Sequence, residues 1–132
     1  MPKKNNLISD IKYDNASWSF DGKTVKKFDH HIKQSIPLYN LAHDLTLKFS
    51  DFFLSEKSTI YDLGCSTGTF LNLISKRHSR KKHQFIGIDV IKKMCGAAKK
   101  KNIKNINVKI INSKLENVKF KNSSIITSFF TI

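Results

Sequence analysis

Thr59-Ile60-Tyr61-Asp62-Leu63-Gly64-Cys65-Ser66-Thr67-Gly68-Thr69 is the stretch whose reading decides the fold. Thr59–Leu63 is rich in strand-forming residues and stops at a glycine. Beyond the turn, Phe70, Leu71 and Ile74 recur at helical spacing. The segment is therefore a strand, a tight turn and a helix. Gly64 allows the turn off the strand, and Gly68 lets the helix start close to the sheet. Between them the backbone can approach a ligand with no Cβ in the way. A glycine turn between strand and helix is the setting of a phosphate- or nucleoside-binding loop.

The pattern continues on both sides of this turn. The helix runs from Thr69 to about Lys76. A second strand is expected over Gln84–Ile88, and a helix from 91 to about 101 has Met94, Ala97 and Ala98 on one face. Third and fourth strands are expected at Asn107–Ile111 and Ser124–Thr131. Strands alternating with helices imply βαβ units, a parallel sheet and right-handed crossovers. Upstream, Val25, Phe28 and Ile32 mark a helix for which Asp21 is a candidate N-cap. Ser35-Ile36-Pro37 breaks it. A second helix spans Tyr39 to Phe53, with Leu41, Leu45, Phe49, Phe52 and Phe53 as its apolar stripe. Residues 1–20, polar and Asn/Lys-rich, read as a flexible arm. Residues 21–132 read as one α/β unit of two leading helices and four parallel strands.

With 132 residues, the chain holds one domain. Its apolar stretches fall far short of the roughly 20 residues of a membrane span. The basic start, Met1 to Asn6, leads into no apolar core of a secretory signal, so a cytoplasmic protein is expected. Cys65 and Cys95 form no C-x-x-C pair, and the five histidines show no metal-ligand spacing, so neither a disulfide framework nor a metal is expected. A net charge of +14 suits a polyanionic partner such as RNA. Composition alone is the preferred reading, since nearly all the basic residues are lysine, which shares AT-rich codons with the abundant Asn and Ile. Arg77–Lys82 is either a phosphate contact or a solvated loop.

Carboxylates stand at both strand ends. Asp62, before the turn, can reach an ammonium group or order the loop. Asp89 lies 25 residues after Gly64, where a carboxylate can accept both ribose hydroxyls of a nucleoside or cap the next helix. A dinucleotide fingerprint fails, because the string is G-x-S-x-G with Thr69 following. A P-loop fails for want of Gly-Lys-Ser/Thr. The same string occurs in hydrolase elbows, but a triad needs a later histidine, and none follows His83.

Asp62-Leu63-Gly64-Cys65-Ser66-Thr67-Gly68 resembles motif I of class I S-adenosylmethionine (SAM)-dependent methyltransferases. Trp18-Ser19-Phe20-Asp21, Phe28 and Ser35-Ile36-Pro37-Leu38-Tyr39 resemble the W-[ST]-F-D and S-[IV]-P-x-Y segments of carboxy-S-adenosylmethionine synthases and related bacterial and phage methyltransferases. The resemblance runs from Trp18 to about Thr131. It implies a Rossmann-like class I methyltransferase fold, truncated after strand four, with N-terminal helices. It also implies SAM as cofactor, methyl transfer as the generic chemistry, and carboxy-SAM synthesis for tRNA wobble-uridine modification as the alternative. A non-catalytic SAM- or RNA-binding fragment is the third reading. Tyr39 would lie over the methionine end, and Gly64, Cys65 and Ser66 would touch SAM through backbone groups near Gly68. Asp89 would take the ribose, and Val90 would flank adenine. The synthases carry Asn in place of Val90, Asp-Ile in place of Lys114-Leu115 and Asn in place of Phe129. The family sheet has seven strands, so strand four would be an open apolar edge. The rest of a longer chain, a partner chain or a second copy would cover it.

Overall fold

Pro37 separates two helices. The structure is a computed structural model that describes residues 13–14, 17–18 and 22–130. Helix α1 (Gly22–Ser35) stops short of Pro37, and α2 (Tyr39–Phe53) begins after Leu38, whose φ of 60° turns the chain. The expected N-cap at Asp21 lies outside the described residues. Ahead of α1, β1 (Tyr13–Asp14) pairs antiparallel with β2 (Ser17–Trp18).

The main sheet contains β3 (Thr59–Leu63), β4 (Gln84–Asp89), β5 (Val108–Asn112) and β6 (Ile125–Thr127). All pairings are parallel and the order is β5-β4-β3-β6. Helices α3 (Thr69–Arg77) and α4 (Lys92–Lys101) make the crossovers. Each step from β3 to β5 goes the same way, so right-handed connections put both helices on one face, where they touch. Ile60 and Phe85 meet Leu71 and Ile74 there. A Cβ on Gly87 would collide with Leu71 Cδ1 and Cys65 Sγ, so helix and strand pack too closely for any other residue. The return to β6 crosses the opposite face. Phe120 sits edge-on to Tyr61 at 5.0 Å, and the Lys121 N–H donates to the Tyr61 hydroxyl at 3.1 Å. The strand order reverses between β3 and β6, and such a switch opens a crevice at the carboxyl ends of the strands.

Two expectations change. The fourth strand was expected to reach Thr131, yet β6 ends at Thr127. It pairs with β3 only over Ile60–Asp62, and Phe130 takes a left-handed φ of 53° that no strand allows. The stripe on α2 points outward. Phe49, Phe52 and Phe53 are 59%, 83% and 63% exposed, whereas Tyr39, His43 and Ser50 are buried. The buried face of α2 packs against α3 through mixed groups: Ser50 Oγ lies 2.7 Å from His78 Nε2. Phe49 and Phe53 line a hollow with Ile125 and Ile126 of the edge strand β6, where Ile126 is 57% exposed. Among the described residues, no helix is long and apolar enough to cross a membrane.

Candidate functional site

A cavity of about 770 Å3 opens at the carboxyl ends of β3 and β4. That lies within the range of ~300–1,000 Å3 usual for small-molecule sites. The glycine turn forms its floor. Gly64 and Gly68 have φ of 68° and 72°, and Ser66 between them is left-handed at 49°. A serine in that region is strained, and it is held by its own N–H, which donates to Asp89 Oδ2 at 2.9 Å. The N–H groups of Gly64 and Cys65 both donate to the Ile88 carbonyl, at 2.8 and 3.0 Å. The turn is thus locked onto the end of β4.

Asp89 organises both sides of this junction. Its Oδ1 accepts from the Ile91 N–H at 2.8 Å, which orders the turn leading to Ile91, the N-cap of α4. The carboxylate is 8% exposed and lines the cavity. Beyond it, Val90, Ile91 and Met94 form an apolar wall, and Leu115 stands opposite. Phe28 and Ile32 from α1 cover one side, and Phe129 and Phe130 close the end near β6. Lys114 and Glu116 stand at the exposed rim. A polar floor with one carboxylate, next to a slot of apolar walls, suits a nucleoside: a flat ring in the slot and hydroxyls on the carboxylate.

Of the residues singled out from sequence, Gly64, Ser66, Asp89 and Val90 line the cavity together. Cys65 is buried under the turn, and burial with the charges of Asp62 and Asp89 pushes its thiol far up. Asp62 is 3% exposed and accepts from Thr127 Oγ1 at 2.8 Å, tying β3 to β6. Burial pushes its carboxyl up to about 7. Tyr39 is buried, 4.4 Å from the His43 ring and 5.8 Å from Phe130. Burial and the nearby Asp29 and Asp62 push its hydroxyl up to about 12. Gly68 serves helix packing. A Cβ there would meet Ala98 on α4 and Asn102, the residue that ends α4, so the close approach seen is to that helix. Arg77 makes a two-pronged pair with Asp51, at 2.8 and 2.5 Å, which removes it from the free basic run Arg77–Lys82. Phe28, Ile32, Met94 and Phe129 were not read as cavity residues. Their helical or strand periodicity marks burial and does not distinguish a core from a ligand wall.

Residues 60–131, more than half the chain, match the family described as a methyltransferase domain. The chain belongs to the methyltransferase-domain family. It is similar to carboxy-S-adenosyl-L-methionine synthase of Wolinella succinogenes, 39% identical over 85 residues that cover 64% of this chain and 35% of the relative. The synthase of Staphylococcus epidermidis is 32% identical over 80 residues, covering 60% and 35%. A crystal structure of a SAM-dependent methyltransferase from Aquifex aeolicus superposes with a TM-score of 0.61 at 25% identity, covering 83% of this chain and 57% of the other. The chain spans about a third of the length of these curated relatives. The Rossmann-like methyltransferase fold expected from the glycine turn is the fold found.

Proposed function

We propose that the chain binds SAM in this cavity and serves as the cofactor half of a SAM-dependent methyltransferase. The observation that carries this is Asp89, a carboxylate fixed by two backbone amides at the lip of an apolar slot. Its oxygens retain lone pairs for the ribose hydroxyls. Val90, Ile91 and Met94 offer the adenine a flat apolar surface, and Gly64 and Ser66 approach without bulk. The Gly64, Cys65 and Ser66 N–H groups are spent within the protein, so their contacts to SAM are through carbonyls and Cα edges. Lys114 places a donor at the rim, and Glu116 beside it supplies an acceptor for the adenine amine. Bound SAM supplies an electrophilic methyl on a sulfonium. The chain's own part is to orient that group and exclude water around it. Carboxy-SAM synthesis fits less well, because Phe129 packs on His43 and Phe70 at 4.7 and 4.8 Å where the synthases carry a polar Asn. Calorimetric titration with SAM tests the reading. Saturable binding at one site supports it, and no heat at millimolar SAM rejects it.

The charge pattern favours RNA as a second ligand. Of ten acidic residues, only Asp89 and Glu116 lie beyond Asp62, which leaves the second half of the chain the more basic. Lys76, Lys100 and Lys104 line a second groove of about 470 Å3 at the far ends of α3 and α4. Replacing all three with glutamate is expected to lower the log–log salt slope of RNA binding by about 2–3, one phosphate contact each. An unchanged slope counts against this face.

The open side favours a partner strand. Ile126 on β6 and Phe49 and Phe53 on α2 line one exposed apolar hollow. Such edges associate unless covered. Sedimentation of the chain alone is expected to show concentration-dependent association that Phe53→Asp with Ile126→Asp removes. A monomer at every concentration argues against a partner there.

A further inference from the structure

The glycine turn is held from a second direction, and the hold comes from the helix that walls the cavity. Asp29 on α1 accepts hydrogen bonds at Oδ1 from the Thr67 hydroxyl and from Thr69 Oγ1, the latter at 3.0 Å. Lys101, at the end of α4, donates to Asp29 Oδ2 at 2.5 Å. The same ammonium reaches Thr67 Oγ1 at 3.1 Å and Thr69 Oγ1 at 2.7 Å. Four side chains from α1, the turn, α3 and α4 thus close one polar knot. Thr67 is 2% exposed, and the Lys101 and Asp29 side chains are 28% and 38% exposed. Burial works to raise the Asp29 carboxyl, but the hydrogen bonds from Lys101 and Thr67 outweigh it and hold the group below its usual range. Asp29 is ionised and paired at neutral pH.

Its position on α1 gives the knot a consequence. Phe28 precedes Asp29 and Ile32 follows one turn later, and both face the cavity. We propose that Asp29 is a positioning residue, a latch that holds α1 closed against the glycine turn through Lys101 and so sets how tightly the cavity retains its ligand. The proposal rests on the SAM reading above. The pair is half-exposed, so charge alone contributes little. The latch acts because the four groups act together and because the wall moves with α1.

The test uses the full chain, with Asp29→Ala, Lys101→Ala and the double variant, in SAM calorimetry and amide hydrogen exchange. Each single change is expected to raise the SAM Kd about five- to tenfold, and the double change no more than either alone, as coupled neighbours behave. Without ligand, amides of 28–32 exchange faster in Asp29→Ala, and added SAM restores much of their protection. Lys101→Ala reads the same contact from α4 if Asp29→Ala folds poorly. Additive effects, SAM affinity equal to wild type, or unchanged exchange over 28–32 overturn the latch. A wild-type chain that takes up no SAM overturns the cofactor reading instead, and the ligand-free exchange still decides the latch.

Discussion

Asp89→Asn is expected to weaken SAM binding about 30–100-fold while the sheet stays folded. The carboxylate holds two amides, Ser66 N–H on one oxygen and Ile91 N–H on the other, at 2.9 and 2.8 Å. An asparagine has one acceptor oxygen and one donor nitrogen. Whichever way it turns, a donor meets a donor, and either the turn or the start of α4 must shift. The hydroxyls of the ribose lose a charged acceptor at the same time. Hydrogen bonds to charged groups contribute about 1.5–3 kcal/mol each, and each 1.4 kcal/mol is tenfold in affinity. Calorimetry with SAM reads the loss, and a thermal melt reads the cost to the fold. Affinity within threefold of wild type would remove Asp89 from the site. A lost fold in place of lost binding would make it a brace only.

The sequence leaves two roles open for Asp89. A strand-end carboxylate beside a glycine turn reads as a ligand for ribose or as a helix cap, because both uses need the same position. The structure has it bracing the Ile91 and Ser66 amides while Ile91 itself is the N-cap of α4, and the same group lines the cavity. Local features of this kind were legible because they are written in adjacent residues: β3 and α2 have the expected bounds, and the break between α1 and α2 falls at Pro37. What depended on neighbours was not legible. The apolar periodicity of α2 finds a stripe but carries no sign for which way it faces, and here His43 and Ser50 go inward in its place. His43 is accommodated because Tyr39, Phe70 and Phe129 surround its ring, with burial pushing its pKa down toward the neutral form. The run Ser124–Thr131 looks like a full strand, but only Ile125–Thr127 pair with β3 and Phe130 turns left-handed. Asp29 and Lys101 are 72 residues apart, and no spacing rule joins them. Nothing beside Gly87 in the chain marks it, because the atom it makes room for is Leu71 Cδ1 on α3.

Gly68→Ala is expected to destabilise the chain by about 2–4 kcal/mol. Two costs add. The residue has φ of 72°, where a Cβ crowds the backbone, and that conformation costs about 1–2 kcal/mol for an L-residue. The new methyl would also lie 2.8 Å from Asn102 Nδ2 and 2.9 Å from Ala98 Cβ. Asn102 cannot simply swing aside, because its amide donates to the carbonyls of Gly68 and Ala98 at 3.3 and 2.9 Å. Overpacking a fitted contact costs about 1–3 kcal/mol. The helix start would tilt off α4 and carry Thr67 and Thr69 away from Lys101, so SAM affinity falls with stability. Gly96, in the middle of α4, is the control: a Cβ there meets nothing within 4 Å. Gly96→Ala is expected to stabilise by about 0.5–1 kcal/mol through helix propensity and a less flexible unfolded chain. Urea unfolding of both variants reads opposite signs from the same chemical change. If Gly68→Ala unfolds at the wild-type midpoint, the close approach of α3 to α4 is not what this glycine serves.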